Sequence, residues 1–447
     1  IKIVNLGNGV GVIADGYWQA KKAIAAVNVI YSSSEWDNTN SGSIKAQFRA
    51  DMDKAVANGD EEKDFSEGDA RKIIASSGKV ITAEYSVPYL AHATMEPMNC
   101  TALLENGKIE VWTGTQNPLG IKASIAEDLD VDTHKVVVNN VYLGGGFGRR
   151  AMNDYPSQAA KLASALPGVP VKMIWSREED TQHDFYRPAV VSRFKAVLAD
   201  SGLPTAWENQ YVDKHEPKEA PYIPYQVDNQ FVHYIESPTH IPFGPWRSVD
   251  HSQHAFFTES FIDELAHQAN QDPFQYRRKL LKSEARYLKV LEAVAKLSDW
   301  DRPLPQGWGR GMAIHGSFNS IVAEVVEVDM SSGSLQVMNV FCVADAGFAY
   351  CPNAFKAQME SGIIFGLTAA LHGEISIENG AVKQSNLHDY QMVRMNTAPD
   401  IHVEIINSGE RTGGAGEPGT PPIAPALTNA IFAATGNRIR QLPVKIS

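Results

Sequence analysis

The sequence predicts an α+β protein with at least two mixed domains, and three observations carry that reading. Short alternating apolar runs dominate residues 79–138, helical apolar patterning dominates residues 251–281, and a break at residues 301–311 (DRPLPQGWGRG) opens a second mixture of strands and helices. With 447 residues, 43% of them hydrophobic, the chain can bury two or three cores. Its 34 Gly and 24 Pro call for many turns and irregular loops.

Taken in order, residues 3–31 predict strand, turn, strand, helix and strand, through VGVIAD, YWQAKKAIAAV and VIYSS. The acidic stretch at residues 51–71 (DMDKAVANGDEEKDFSEGDAR) predicts a solvated helix or connector, with an interaction tail as the other reading. KVITAEYSV, TALLENGKIEVWTG and HKVVVNNVYL follow as strands, and ENGK at residues 105–108 is a hairpin signal. A helix is expected over residues 155–166, then a strand at VKMIWS, and a proline-rich loop at residues 213–224. His251–Gln268 carries a helical stripe, and Asp272-Pro273 has the chemistry to cap and open another helix. Beyond the break, VAEVVEVDMSSGSLQVMNVFCV predicts a hairpin and residues 353–371 a helix. PPIAPALTNAIFAATG predicts a last helix stopped by Gly436.

Composition excludes several classes. A formal charge of −12 repels phosphate backbones and anionic lipids, so no nucleic-acid partner is expected. Three Cys without a CxxC pair make neither a disulfide framework nor a zinc or iron–sulfur site within this chain. No run of 18 apolar residues occurs. The first residues are not a signal peptide and include no initiator Met, so the chain is expected to start within a larger protein, as a cut or split product would.

Three motifs carry chemistry. Gly144-Gly145-Gly146-Phe147-Gly148-Arg149-Arg150 follows a strand. Such a loop lets backbone N–H groups approach an anionic ligand, though a tight structural turn explains it equally well. Gly413-Gly414-Ala415-Gly416-Glu417-Pro418-Gly419 precedes the last helix. A carboxylate among glycines is a candidate general base whose pKa desolvation would raise; a helix cap or solvated loop acid is the plainer reading. The third pairs His92, Glu96 and Asn99 with Thr115-Gln116-Asn117. Amides there can donate to oxo groups or read heterocycle edges, whereas His92 and Glu96 lack the further ligands a metal needs. Trp246-Arg247-Ser248, Gln358 and His388-Asp389-Tyr390 are weaker candidates. No GxSxG supports a serine hydrolase, and no βαβ unit with a following acid supports a nucleotide-dependent dehydrogenase.

The ordered set of GGGFG, an upstream TQ, a downstream WR, a Q-x-E-x-G helix start and GGAGEPG resembles the molybdenum-binding large subunits of the xanthine oxidase and aldehyde oxidase family. GGGFGRR, IWSREEDTQHDFYRP, PWRSVDHSQHAFFTESFIDELAH and GEPGTPPIAPALTNAIFAATGNRIRQLP look most like its isoquinoline 1-oxidoreductase beta-subunit branch, which includes membrane-associated bacterial aldehyde dehydrogenases. The resemblance implies the molybdopterin-binding domains of that family, preceded by a remnant of the α/β hammerhead domain. Residues 1–37 would be the hammerhead part, 38–78 an acidic connector, 79–300 a first and 301–447 a second molybdopterin-binding domain.

The resemblance also implies the chemistry. Molybdenum is held by the pterin dithiolene and by no protein ligand, with the cytosine dinucleotide form of molybdopterin expected. Glu417 would be the catalytic base and Gln116 the amide bonded to the apical oxo group. Gly145, Gly146, Phe147, Gly148, Arg149, Arg247, Gln358 and Gly416 would contact the cofactor. Aldehydes would be oxidised to acids, or N-heteroaromatic rings hydroxylated with water as the oxygen source. Electrons would leave through the [2Fe–2S] clusters of a small partner subunit, with a cytochrome c subunit as a further expected partner and the periplasmic side as the expected location.

Two departures matter. The glutamate that orients purines in xanthine-oxidising members falls here at Ala151, which disfavours purine substrates. The family's MGQG-type segment and a second small-residue segment that wrap the pterin are missing from these 447 residues. They are expected in an N-terminal portion or a companion chain; a non-catalytic assembly subunit on a degenerate scaffold is the alternative.

Overall fold

The computed structural model describes residues 2–58, 64–215 and 219–446. Among the described residues, the strands gather into one five-stranded sheet, two four-stranded sheets and two small hairpins. The first four-stranded sheet runs Val136–Asn140, Lys108–Thr113, Asn99–Glu105, Val171–Ile174. Its central hairpin turns at Asn106 and Gly107, both left-handed with φ 51° and 72°, which is what ENGK predicts. Helices Pro118–Asp128 and Asp154–Ser164 cover it, packing Ile121, Ile125, Tyr155 and Leu162 on Cys100 and Val111. The hairpin Lys2–Asn5/Val10–Ile13 leans on the same core through Val4, Leu6 and Ile13.

The five-stranded sheet has the order Phe65–Glu67, Gln230–Glu236, Pro204–Asp213, Val190–Leu198, Ile81–Val87. The other four-stranded sheet runs Trp308–Ser317, Ser320–Asp329, Gln336–Asp345, Asp400–Ile406, with its last pair parallel. Helix His251–Gln268 lies between these two sheets and Ile423–Thr435, so residues 251 to 266 are buried all round rather than along one stripe. Its polar groups are paired accordingly: Glu259 with Arg277, Asp263 with Arg438, Glu264 with Arg440 and Tyr85. Asp272 caps Gln275 N–H before Pro273–Leu280, and Gly436 ends the last helix at φ 76°, both as the sequence predicts.

Three expectations are corrected. VIYSS forms no strand: residues 29–33 pair with nothing among the described residues, and Ile30 and Tyr31 are exposed. The acidic stretch begins inside helix Ser41–Ala57, which is not simply solvated. Asn40 caps it through a reciprocal bond with Ser43, and Ile44, Phe48, Met52 and Ala55 bury a stripe that the acidic outer face obscures. Residues 59–63 of that stretch and 216–218 of the proline-rich loop lie outside the described residues. Finally, much of the glycine-rich GWGRGMAIHGS is no break but the strand Trp308–Ser317. A Cβ at Gly309 or Gly311 would collide with the backbone of the last helix at Ala430, so these glycines let helix and strand touch.

Candidate active site

The glycine loop at residues 144–148 leaves the first sheet and is braced from beneath. Arg150, fully buried, donates to the carbonyls of Gly145 (2.8 Å) and Gly114 (3.3 Å) and to Glu96 Oε2 (2.9 Å), which also accepts Gly144 N–H at 2.6 Å. Burial would raise the Glu96 carboxyl, but the Gly144 N–H, Asn99 and Arg150 outweigh it and hold its pKa below the ordinary value. Arg149 is 1% exposed. It forks onto Asp154 at 2.9 and 2.7 Å, approaches Asp184 at 3.1 Å, and is walled by Tyr155, Trp175 and Phe185. Its charge is therefore consumed inside the scaffold, and the structure shows no face of it open to a ligand.

Phe147 is left-handed at φ 55° and its ring points away from that scaffold, stacking on Phe365 at 4.5 Å; Phe365 stacks in turn on Trp246 at 4.5 Å. Gly148 follows with φ 109° and ψ −31°, against the Pro245 carbonyl. That carbonyl also accepts from His92 Nε2 at 3.1 Å, while His92 Nδ1 and N–H face Asp184 at 2.9 and 2.7 Å. Burial alone would raise the Asp184 carboxyl; His92 and Arg149 beside it bring it below the usual range. Gly148 N–H donates to Gln116 Oε1 at 3.1 Å. With its oxygen pinned, the Gln116 amide presents its NH₂, which makes no hydrogen bond among the described residues.

A second set of segments closes on the first. Arg247 donates to Gly416 O (Nε, 2.8 Å), Ser361 Oγ (2.8 Å) and Gln358 Oε1 (3.0 Å). Burial lowers its pKa, opposed by the charge of Glu417. Gln358 is thus oriented like Gln116, oxygen held and NH₂ outward. Glu417 is half-buried, and its Oε1 accepts Ser248 N–H at 3.0 Å. Ser248 and Val249 are left-handed, with φ 75° and 50°, a local strain of the kind that folds hold at ligand sites. A cleft of about 630 Å³ opens beside Phe147, lined also by Ser361, Ile364, Phe365, Met392 and Ile401.

The structure thus brings Gln116, Gly145, Gly146, Phe147, Gly148, Arg247, Gln358, Gly416 and Glu417 to one place and leaves Arg149 beneath it. His388 and Asp389 form their own exposed contact at 3.6 Å and take no part. Sequence reasoning passed over Ser361, Phe365 and Asp184. Ser361 stands three residues after Gln358, on the same helix face, a signal that was available; Asp184 had none. The named side chains supply two amide NH₂ groups, a carboxylate and a phenyl face, with no thiolate or imidazole. Gly146 is hollow against Gln116, where a Cβ would lie 2.5 Å from Oε1. That donor set fits a group rich in oxo and ring-nitrogen acceptors whose metal needs no protein ligand.

Comparison with known proteins agrees. A molybdopterin cofactor-binding domain family matches residues 52–281, and a second molybdopterin cofactor-binding domain family matches 253–399. The chain is 29% identical to the isoquinoline 1-oxidoreductase subunit beta of Brevundimonas diminuta over 475 positions, covering 99% of this chain and 60% of that one. It is 30% identical to the membrane-bound aldehyde dehydrogenase [pyrroloquinoline-quinone] of Gluconacetobacter polyoxogenes, covering 97% and 62%. The chain therefore spans about three fifths of the length of these relatives. In fold it is similar to quinoline 2-oxidoreductase from Pseudomonas putida 86, with a TM-score of 0.79 at 15% identity, over 97% of this chain and 83% of that one.

Proposed function

Because this chain belongs to the molybdopterin cofactor-binding domain family, we propose that it is the cofactor-bearing part of a molybdenum hydroxylase that oxidises aldehydes or N-heteroaromatic rings. The observation that carries the reading is the convergence of Gln116, Phe147, Arg247, Gln358 and Glu417 from five separate segments. The bound molybdopterin supplies the two-electron redox centre. The chain's own residues do the rest. The NH₂ groups of Gln116 and Gln358 hold and orient the cofactor, and Phe147 packs against it. Arg247 locks the Gly416 carbonyl and so fixes the residue that follows. Glu417, anchored at Oε1 by Ser248 N–H, has Oε2 to take the proton from the water-derived nucleophile.

The reading extends to finer points. The cofactor is proposed in its cytosine dinucleotide form. Electrons leave to a small [2Fe–2S] subunit and then to a cytochrome c, on the periplasmic side. The name of the Brevundimonas relative, a beta subunit, supports a heteromer. None of the described helices is long and apolar enough to cross a membrane. A companion chain or N-terminal portion completes the pterin pocket, and the division at residues 79–300 and 301–447 is proposed as that of the two cofactor domains. The test is metal analysis of the gently purified native complex with intact-mass identification of each chain. Molybdenum near one per complex with a [2Fe–2S] companion supports the proposal. A folded chain without molybdenum or pterin overturns it in favour of a degenerate scaffold.

A further inference from the structure

A second cluster of ligand-type side chains lies beside the Pro245–Val249 turn, in a cavity separate from the cleft beside Phe147. Asp213 is the last residue of the buried strand Pro204–Asp213, and Asp250 is the residue before the buried helix His251–Gln268. Two of the most rigid elements of the core therefore end facing each other with a carboxylate apiece. Asp213 and Asp250 are 1% and 6% exposed. His215 follows Asp213 by two positions, its ring stacked on Phe243 at 5.1 Å and its Nε2 3.1 Å from Asp250 Oδ2. One ligand atom from each of the three lies within 4.8 Å of the other two.

The carboxylates are aimed but only loosely satisfied by protein. Lys214 N–H orients Asp213 through Oδ1 at 2.7 Å. Among the described residues, Asp213 Oδ2 then accepts a hydrogen bond only from the Gln253 amide, at 3.4 Å, and that amide also spans to Asp250 Oδ1 at 3.3 Å. Behind it stands His254, fully buried, with neither ring nitrogen hydrogen-bonded among the described residues and Nε2 directed at Asp213 Oδ2 from 3.5 Å. A buried imidazole without a hydrogen-bonding partner among the described residues, one turn after Asp250 and pointed at the Asp213 carboxylate, has donor and acceptor capacity left for a ligand. Arg187 lines the adjoining cavity of about 160 Å³ and brings its positive charge beside the two carboxylates.

We propose that Asp213, His215 and Asp250 bind a divalent metal ion of the zinc and manganese class, with His254 as a further donor reached by a small shift of its ring. One imidazole and two carboxylates are hard-to-borderline ligands that suit these ions and, lacking thiolate, do not select copper(I). The ion would tie the end of the strand to the start of the helix. Asp250 lies two residues beyond Ser248, so the ion would also fix the turn whose N–H anchors Glu417.

The test uses the tag-free chain with its native subunits, stripped with chelator and titrated with Co²⁺, read by visible absorption, with Zn²⁺ as competitor. One Co²⁺ per chain is expected, with ligand-field bands displaced stoichiometrically by Zn²⁺. His215 is the most exposed of the three, so His215→Gln keeps the fold; it should weaken Co²⁺ at least about 100-fold, since even outer-sphere losses cost 10–100-fold. Asp250→Asn should do the same. Absence of bands from the wild-type protein at saturating Co²⁺ overturns the proposal without recourse to any variant. Unchanged affinity in folded His215→Gln overturns it as well. Molybdenum content is read separately, so neither result bears on the proposed hydroxylase activity.

Discussion

Replacing Gly148 by Ala should be among the most damaging single-methyl changes in the molecule. Gly148 sits at φ 109° and ψ −31°, a conformation that costs an L-residue about 1–2 kcal/mol. The new methyl would overlap the Pro245 carbonyl oxygen, which His92 holds in place at 3.1 Å, so the two segments must part. Overpacking of that kind costs about 1–3 kcal/mol. Parting the loop also breaks the Gly148 N–H to Gln116 bond, worth roughly 0.5–1.5 kcal/mol. Together these come to about 2.5–6.5 kcal/mol, a large part of the roughly 5–15 kcal/mol typical of whole folds. Gly168 provides the control: its φ is 79°, but nothing lies within 4 Å of the place a methyl would occupy, so Gly168→Ala should cost only the strain of about 1–2 kcal/mol. Urea unfolding followed by tryptophan fluorescence reads both variants, and the shift in midpoint at unchanged slope gives the difference. If Gly148→Ala costs no more than Gly168→Ala, the close approach of loop and turn is not a constraint and the reasoning fails.

Other outcomes follow from the same geometry. Glu417→Gln keeps an oxygen for Ser248 N–H but loses the basic carboxylate; turnover should fall by about 10²–10⁴-fold or more with molybdenum retained, and unimpaired turnover would rule Glu417 out as the base. Arg149→Met leaves Asp154 and Asp184 without their partner and should cost about 3–5 kcal/mol, while molybdenum per folded chain stays normal; loss of cofactor from a folded variant would return Arg149 to the binding site. Glu324 is fully buried without a hydrogen bond among the described residues, and burial pushes its carboxyl well above the ordinary range. Its folded state favours the proton, so the stability it allows is full below the unfolded pKa of about 4.5 and falls as pH rises toward the folded value. Glu324→Gln should flatten the stability profile from pH 5 upward, and an unchanged slope would show that Glu324 does not titrate in this range.

The sequence made some elements legible because local chemistry decided them. Asn106-Gly107 had to turn left-handed, Asp272-Pro273 had to open a helix, and Gly436 had to close one. The five-stranded sheet was harder to see. Pro204–Asp213 buries Glu208, Asn209, Gln210 and Asp213, so the alternation that marks a strand is lost among polar residues paired only in three dimensions. Its neighbour Val190–Leu198 does alternate, with Phe194 and Ala196 inward and Arg193 and Lys195 outward, a period-2 signal that went unread. At the site, Gln116, Phe147, Arg247, Gln358 and Glu417 could be named from ordered motifs, although each motif alone admitted a plainer reading. The inward commitment of Arg149 could not be read from GGGFGRR, because its partners Asp154 and Asp184 sit on a helix start and a loop with no shared spacing. Nor did any CxxC-like signature mark Asp213, His215 and Asp250, since the third lies far along the chain from the first two.

The ring column of Phe147, Phe365 and Trp246 has a consequence for how such a chain matures. Each ring comes from a distant stretch of sequence, and Phe365 sits between the other two. The glycine loop and the strand hairpins before it are held by neighbours close in sequence and can form early, but Phe147 has no stacking partner until the helix Pro352–Leu371 has docked. Glu417 comes later still. During synthesis, then, the two halves of the cleft exist apart, and they meet only after the segment that carries Glu417 has left the ribosome. A ligand that touches both halves can therefore enter only after that segment is made, into a receptacle that is folded but unfilled or held open by an assistant.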